Sequence, residues 1–157
     1  MSPAAFVEAA GADDLDALIA LERLCFSHPW TPRNFTDAMA DPPRSRVVVL
    51  RVPHPAGHAE RGIAAYCVYE VVAGELHVHN LAVRPGVRGG GLGRVLVRVV
   101  LDVGARRGAA SAVLEVRRSN EAARRLYESV GFRALATRRD YYSHPIEDAL
   151  VMEKPLP

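Results

Sequence analysis

The chain has 157 residues, of which 49% are hydrophobic and 24% charged, and its formal net charge is +2. This balance predicts a single globular domain over residues 1–157 and argues against disorder. The small net charge argues against a protein that coats nucleic acid. A membrane span is not expected, because no run of about 18 apolar residues occurs.

The first residues and the cysteines predict where the protein resides. Residues 1–6 have neither the basic start nor the apolar stretch of a signal peptide. Cys25 and Cys67 each lie among apolar residues. In the absence of a secretory signal, we expect a cytoplasmic protein whose two cysteines are reduced core residues.

The charge is distributed unevenly along the chain. Residues 1–80 contain ten acidic and six basic side chains, whereas residues 81–157 contain eight acidic and fourteen basic ones. One interpretation is a solvated surface with no further role. The other is a basic half that holds an anion and an acidic half that meets a basic partner.

The first half of the chain predicts two helices and three strands. Apolar residues at helical spacing predict a helix over residues 13–26. A short second helix is expected to begin after the N-cap residue Thr31, with Pro32 in its first turn, and to end at Asp41-Pro42-Pro43. An exposed loop is expected over residues 53–61, which contain two prolines. The strands are expected over residues 46–52, 63–72 and 75–83.

The second half predicts alternating helices and strands. One helix ends before Gly108, and its predicted inward face consists of Leu92, Val95, Leu96, Val99 and Val103. Another helix begins at Ser119-Asn120 and ends at Gly131. The remaining strands are expected over residues 112–116, 132–139 and 150–154. The whole pattern predicts a mixed α/β domain.

A glycine run lies between a predicted strand and a predicted helix, in the order Arg88-Gly89-Gly90-Gly91-Leu92-Gly93. Backbone N–H groups and the positive end of a helix dipole suit such a loop to phosphate. The dinucleotide-binding pattern fails because Leu96 stands where a third glycine is required. The Walker pattern fails because Leu92 and Gly93 stand where Lys and Ser/Thr are required. What remains is Arg88-x-x-Gly91-x-Gly93, for which an ordinary glycine-rich turn is the alternative interpretation.

The surrounding motifs resemble the GNAT acyltransferase superfamily. The glycine run follows NLAVRP at residues 80–85, and LEVRRSN at 114–120 precedes LYESVGF at 126–132. With RRDYY at 138–142, EDA at 147–149 and FSHPWT at 26–31, the chain is similar to the ribosomal-protein alanine N-acetyltransferases of that superfamily. The resemblance is strong over residues 76–153 and thinner over 13–52, and residues 53–61 have no counterpart.

The resemblance implies a mostly antiparallel central sheet flanked by helices, in which two parallel strands, here 75–83 and 112–116, splay apart to bind acetyl-CoA. It implies that backbone groups of Leu81, Ala82 and Val83 bind the acetyl and pantetheine portion, and that Asn120 contacts the pantetheine arm. For Asn120, the helix N-cap is a compatible alternative. The resemblance also implies that the pyrophosphate is bound by Arg88, Gly89, Gly90, Gly91, Leu92, Gly93 and Arg94.

Acetyl transfer from a thioester to an amine requires a proton acceptor, a stabilised oxyanion and a proton donor for the leaving thiolate. A carboxylate within an apolar strand is a natural base, and Glu115 occupies such a position. Tyr127, on the following helix, is a natural acid. The resemblance assigns both residues the same roles. The alternatives are a solvent-facing strand glutamate and a core aromatic residue.

The resemblance further implies an acceptor, the α-amine of an N-terminal alanine on a small-subunit ribosomal protein. No metal site is expected. His77 and His79 share a strand face, but no third ligand of matching spacing accompanies them. Candidate acceptor-binding residues are Trp30, His79, Tyr141 and Tyr142. No nucleic-acid or membrane partner is expected. Two alternatives remain open: acetylation of a small-molecule amine, and an acyl-CoA-binding module without turnover.

Overall fold

The computed structural model describes residues 5–40, 46–52 and 62–157. The predicted loop over 53–61, the predicted helix end at 41–43 and residues 1–4 lie outside the described residues. The helices are α1 (Leu15–Cys25), α2 (Pro32–Met39), α3 (Leu92–Arg106) and α4 (Glu121–Ser129). The strands are β1 (Phe6–Ala9), β2 (Val47–Arg51), β3 (Ile63–Val72), β4 (Glu75–Val83), β5 (Ser111–Arg117), β6 (Arg133–Ser143) and β7 (Ile146–Pro155).

The seven strands form one mixed sheet in the order β1-β2-β3-β4-β5-β7-β6. β4 and β5 run parallel, whereas β1–β2, β2–β3, β5–β7 and β6–β7 are antiparallel. The parallel register runs from Glu75 opposite Ser111 to Val78 opposite Leu114, and both strands continue beyond that last pair. The mixed α/β fold with a mostly antiparallel sheet is therefore confirmed.

Residue contacts divide the chain into two compact units. The first contains the described residues of 1–68 and 80–96, and the second contains residues 69–79 and 97–157. The prediction of one domain over residues 1–157 stays a prediction. None of the helices within the described ranges is long and apolar enough to cross a membrane.

The core of the first unit is built by helices α1 and α2 on strands β2 and β3. Leu18, Leu21, Phe35 and Tyr66 are among its fully buried side chains. α2 begins as predicted, because the Thr31 hydroxyl accepts the Asn34 N–H at 3.2 Å while Thr31 N–H donates to Asn34 Oδ1 at 2.9 Å. This reciprocal capping satisfies two donors at the start of the helix.

The two cysteines are free thiols. Cys67 is fully buried, as expected, and this burial raises its pKa to about 12. Cys25 is only partly buried, so the prediction of two core cysteines is correct for one of them.

The inward face of α3 differs from the prediction by about one residue. Val95, predicted to be inward, is 47% exposed, whereas Leu96, Val97, Val100 and Leu101 are buried. The reason lies at Gly104, where a Cβ atom would lie 3.2 Å from the Cβ of buried Leu76. The helix packs closely on β4 at Gly104, because this residue has no side chain. Gly104 therefore lies on the inward face, which the spacing of the apolar residues did not indicate.

The last two strands are longer than predicted. β6 and β7 pair out to Ser143 opposite Ile146, so residues beyond the predicted strand ends also belong to the hairpin. Their register shifts between Arg138 and Tyr142, where Asp140 has a φ of 51°. Its N–H donates to Asp148 Oδ1 at 3.0 Å. The Asp148 side chain thus stabilises the irregular backbone at Asp140. From the sequence pattern alone, the strand was predicted to end just before this residue. The short, largely exposed β1 was missed altogether.

The corrected helix face predicts unequal costs for two valine truncations. Val100→Ala should lower the free energy of unfolding by about 2 kcal/mol, because Val100 has 0% exposure and its truncation leaves a cavity. Val95→Ala should cost less than about 0.5 kcal/mol, because the side chain is already in water. Urea unfolding of both variants measures the difference, and equal losses would contradict the observed face.

Candidate active site

The loop between β4 and α3 presents exposed backbone in a conformation that suits glycine. Gly89 and Gly91 have φ values of 84° and 83°, which non-glycine residues rarely adopt. Gly91 O accepts the Val95 N–H at 3.1 Å, so the helix begins directly after the loop. The first N–H groups of a helix lack intrahelical acceptors and attract anions. All of the predicted pyrophosphate-binding residues lie in this loop or first turn: Arg88, Gly89, Gly90, Gly91, Leu92, Gly93 and Arg94.

Arg88 joins this loop to the end of β4. Its Nε donates to Val83 O at 2.9 Å, and one terminal nitrogen lies 3.5 Å from Cys25 Sγ. Leu81, Ala82 and Val83 are the last three residues of β4, with Ala82 buried and its neighbours partly buried. The first unit therefore brings the predicted acyl-binding backbone and the glycine loop into direct contact.

A carboxylate that the sequence analysis missed lies beneath this strand end. Glu22 of α1 is only 2% exposed. Its Oε1 accepts the Trp30 N–H at 3.1 Å, both of its oxygens lie 3.0 Å from Asn80 Nδ2, and the Tyr66 hydroxyl also donates to it. Burial raises the pKa of Glu22, while the bonds from Trp30 and Asn80 oppose that shift.

The sequence did contain a signal for this carboxylate. Glu22 follows Leu18 by four residues and precedes Cys25 by three, so it lies on the inward stripe of α1. A glutamate in that stripe must find hydrogen-bond donors, because an unpaired buried charge is costly. Its partners are distant in sequence and could not be identified from the stripe alone.

Trp30, a predicted acceptor-binding residue, is partly buried next to this cluster. Its ring centroid lies 5.3 Å from that of Phe35, which in turn lies 5.7 Å from that of Tyr66. The backbone and the ring of Trp30 are thus both held by residues of the first unit.

The predicted base, Glu115, lies on β5 in the second unit. Its side chain is 27% exposed, and Oε1 lies 3.7 Å from a guanidinium nitrogen of Arg138. The burial expected from its apolar strand is therefore only partial. The predicted acid, Tyr127, is buried on α4, with its ring edge-on to Phe132 at 5.6 Å between centroids.

Asn120 is the N-cap of α4, which was one of the two compatible roles expected for it; the other was a contact with the pantetheine arm. Its side-chain oxygen accepts the Ala123 N–H at 3.1 Å. The capping bond uses one lone pair of the amide oxygen and leaves the amide N–H₂ group available for other contacts.

Tyr141 and Tyr142 lie on β6, within the last hairpin. Their rings meet edge-on at 5.0 Å, and the Arg117 guanidinium lies 4.2 Å from the centroid of the Tyr142 ring. Burial and the neighbouring Tyr141 raise the pKa of Tyr142 to about 12, although Arg117 opposes the shift. Tyr142 is therefore a neutral phenol at physiological pH.

Glu147 holds Arg117 in this position. One Glu147 oxygen lies 3.4 Å from Arg117, and the other accepts the Ser119 N–H at 3.1 Å. The hydrogen bonds from Ser119, followed by those from Arg117, lower the pKa of Glu147. The carboxylate thereby connects the start of α4 to the β6–β7 hairpin.

His79, also predicted to bind the acceptor, is exposed near the middle of β4. Its Nε2 lies 3.2 Å from Glu70, and the neighbouring His77 lies 2.8 Å from Glu75. The two imidazole rings are stacked, with centroids 5.9 Å apart. Each histidine thus has its own glutamate partner.

This chain is similar to known proteins in sequence and in fold. The model of the acetyltransferase (GNAT) family matches residues 15–132. The [ribosomal protein bS18]-alanine N-acetyltransferase of Escherichia coli K12 is 34% identical, covering 91% of this chain and 92% of its own. The N-alpha-acetyltransferase RimI of Mycobacterium tuberculosis is 37% identical, covering 80% and 75%. The crystal structure of the E. coli ribosomal-protein-S18-alanine N-acetyltransferase superposes with a TM-score of 0.82 at 32% identity, covering 98% and 94%.

The lowered pKa of Glu147 predicts an acid-sensitive contribution to stability. Because the folded-state pKa lies below the ordinary glutamate value of about 4.3, the stabilisation is present above that value and disappears as pH falls through the folded-state pKa. The loss of unfolding free energy caused by Glu147→Gln should therefore be largest near neutral pH and shrink as the pH falls below the ordinary glutamate pKa. Urea unfolding across this range measures it.

The matched control is Glu128→Gln, which removes one negative charge from the exposed surface of α4. A Glu147→Gln effect that does not change with pH, or that Glu128→Gln reproduces, would argue against the assigned contacts.

Proposed function

This chain belongs to the acetyltransferase (GNAT) family of acetyl-CoA-dependent N-acetyltransferases, and from its similarity to particular members of that family we propose that it acetylates the N-terminal alanine of ribosomal protein bS18. The observation that carries the acceptor assignment is the similarity, over nearly the whole chain, to relatives that bear this activity in their names. Family membership alone does not identify the acceptor, because members of the family acetylate many different amines. We propose that the reaction takes place in the cytoplasm, within a single domain and without a metal ion.

The first unit supplies the proposed binding groups for the donor. Backbone N–H groups of residues 89–94 would bind the pyrophosphate, supported by the exposed left-handed glycines and the helix start. Backbone groups of Leu81, Ala82 and Val83 would bind the acetyl and pantetheine portion. Arg88 would support both regions, since it already contacts Val83 O. Asn120, in the second unit, would contact the pantetheine arm.

We assign the proton transfers to Glu115 and Tyr127. The neutral α-amine attacks the thioester carbonyl, so that a C–N bond forms and the C–S bond breaks. Glu115 accepts the amine proton directly or through one water, and the Tyr127 hydroxyl gives its proton to the departing thiolate. A backbone N–H near Leu81 or Val83 stabilises the oxyanion of the tetrahedral intermediate. Proton exchange with solvent restores both side chains.

The chemistry of the acceptor favours an N-terminus over a lysine side chain. An α-amine has a pKa of about 7.7–8.0, whereas that of lysine is about 10.4. A much larger fraction of α-amines is therefore neutral at physiological pH, and a single carboxylate base suffices. We propose that Trp30, His79, Tyr141 and Tyr142 contact the acceptor. Tyr142 is a neutral phenol held by Arg117, and it would offer a hydrogen bond without charge.

A direct test is incubation with acetyl-CoA and a panel of acceptors, with products measured by mass spectrometry. The panel contains peptides that begin with Ala, Ser or Met, a blocked peptide with an internal Lys, and a polyamine and an aminoglycoside. We expect a single acetyl addition to the N-terminus of the Ala peptide. Preferential modification of a small amine would replace this function with the alternative one.

The assigned acid and base predict large losses of turnover. Glu115→Gln and Tyr127→Phe should each lower kcat by about 100-fold, because positioned proton transfer contributes about 10²–10⁴-fold. Initial rates at saturating acetyl-CoA measure this loss. Tyr69→Phe is the control, since it removes the hydroxyl of another buried tyrosine in the same unit and should leave kcat within about twofold. Unchanged rates in Glu115→Gln and Tyr127→Phe would refute the mechanism.

The proposed role of the glycine loop predicts that a substitution there weakens acetyl-CoA binding selectively. Gly91→Ala should raise the KM for acetyl-CoA by about tenfold, because an alanine at a φ of 83° is strained by about 1–2 kcal/mol and the loop must shift. Gly86→Ala is the control, because its added Cβ would meet nothing within 4 Å and its φ is not left-handed. Titrating acetyl-CoA against both variants separates them, and equal KM values would count against this assignment of the loop.

A further inference from the structure

We propose that Glu22 is a positioning residue for acceptor binding: its carboxylate holds Trp30 and the acyl-binding end of β4 in their working arrangement. The inference rests on the proposed function, which assigns Trp30 to the acceptor and residues 81–83 to the acyl group. Glu22 itself contacts neither substrate in this proposal. It acts through the residues to which it is hydrogen-bonded.

Four segments of the first unit meet at this carboxylate. Glu22 belongs to α1, Tyr66 to β3 and Asn80 to β4, while Trp30 lies in the connection between α1 and α2. Asn80 immediately precedes Leu81, so the bond from its side chain fixes the strand directly before the acyl-binding segment. The bond to the Trp30 N–H fixes the connection from which the indole projects.

Aromatic contacts connect Trp30 to Glu22 by a second route. Trp30 packs on Phe35, Phe35 packs edge-on to Tyr66, and the Tyr66 hydroxyl returns to Glu22. A displacement of Glu22 would therefore affect Trp30 through its backbone and through its ring. Both paths lie entirely within the first unit.

The donor set explains why the residue is a glutamate. A phenolic O–H, a backbone N–H and an amide N–H₂ all point at Glu22, and an ionised carboxylate offers only acceptors. A glutamine would place its own N–H₂ group against at least one of these donors. None of the three donors is a cation, so this carboxylate is buried by neutral groups, an arrangement that is costly unless each bond is well made.

The same unit contains a matched carboxylate with different partners. Asp14, directly before α1, is 1% exposed. It accepts two bonds from the Arg51 guanidinium, at 2.8 and 3.0 Å, and one from the Gly11 N–H at 2.9 Å. Asp14→Asn therefore replaces a buried carboxylate of the same unit and weakens its bonds to Arg51, without altering the bonds from Trp30 or Asn80 to Glu22.

The kinetic test compares Glu22→Gln with Asp14→Asn. We expect Glu22→Gln to raise the KM for the alanine peptide and lower kcat, with a combined loss of about tenfold in kcat/KM, and to raise the KM for acetyl-CoA as well, because Asn80 directly precedes the acyl-binding segment. Asp14→Asn should lower the thermal midpoint yet leave the peptide KM unchanged. Equal peptide KM values in Glu22→Gln and wild type would overturn the proposal.

A spectroscopic test needs no acceptor, because Trp30 is the single tryptophan of the chain. We expect Glu22→Gln to change the emission maximum of Trp30 and to increase its quenching by acrylamide, while Asp14→Asn leaves both at wild-type values. Identical spectra in all three proteins would overturn the proposal. If the wild type acetylates no N-terminal peptide, the proposed function fails, and the fluorescence comparison still decides whether Glu22 holds Trp30.

A rescue variant distinguishes positioning from general damage. Glu22→Gln combined with Asn80→Asp exchanges the amide and the carboxylate, so that the glutamine donates to residue 80 while its oxygen still accepts the Trp30 N–H. The double variant should recover at least half of the lost kcat/KM and return the quenching of Trp30 towards that of wild type. A double variant that is no better than Glu22→Gln would contradict a role through Asn80.

Discussion

A carboxylate buried among neutral groups must be surrounded by hydrogen-bond donors, and the first unit meets this requirement at Glu22. Because the donors come from Tyr66, Trp30 and Asn80, satisfying one charge also aligns two strands and the connection between two helices. The end of β4 is then continued by the glycine loop, whose Arg88 returns to Val83 O. The groups proposed to bind the donor therefore extend from a strand that Glu22 helps to hold.

The second unit achieves order by a different means, through ion pairs at partly exposed positions. Glu147 accepts from Ser119 and Arg117, and Arg117 covers the Tyr142 ring. Such pairs are individually weak when exposed. Together they hold the β6–β7 hairpin against the start of α4, and Asp148 accommodates the irregular residue Asp140 on the same hairpin. The two proposed acceptor-binding tyrosines owe their positions to this network.

The sequence predicted correctly those parts of the fold that depend on interactions between residues close together in the chain. The bounds of β3 and β4 were predicted correctly because a tight turn separates two β-rich runs, and the start of α2 because Thr31 and Pro32 form a complete cap within one turn. The face of α3 was misjudged because the deciding contact, Gly104 against Leu76, joins residues 28 positions apart. The hairpin was underestimated because Asp148 supports Asp140 across two strands.

The same distinction applies to the candidate site. The glycine loop could be predicted because consecutive residues build it, and the structure places every one of its residues together. The inward stripe of α1 indicated a buried position for Glu22, but its hydrogen-bond partners could not be predicted, because Tyr66 and Asn80 are distant from it in sequence. Glu115 is partly exposed beside a cation, whereas Glu22 is buried beside neutral donors.

These two environments suit different tasks. A proton acceptor must exchange its proton with substrate and solvent, which requires access. A group that holds other residues in place must keep all of its acceptors occupied, which requires burial. The partial exposure of Glu115 thus supports its proposed role as the base, and the closed hydrogen-bond set of Glu22 supports a positioning role rather than a second base.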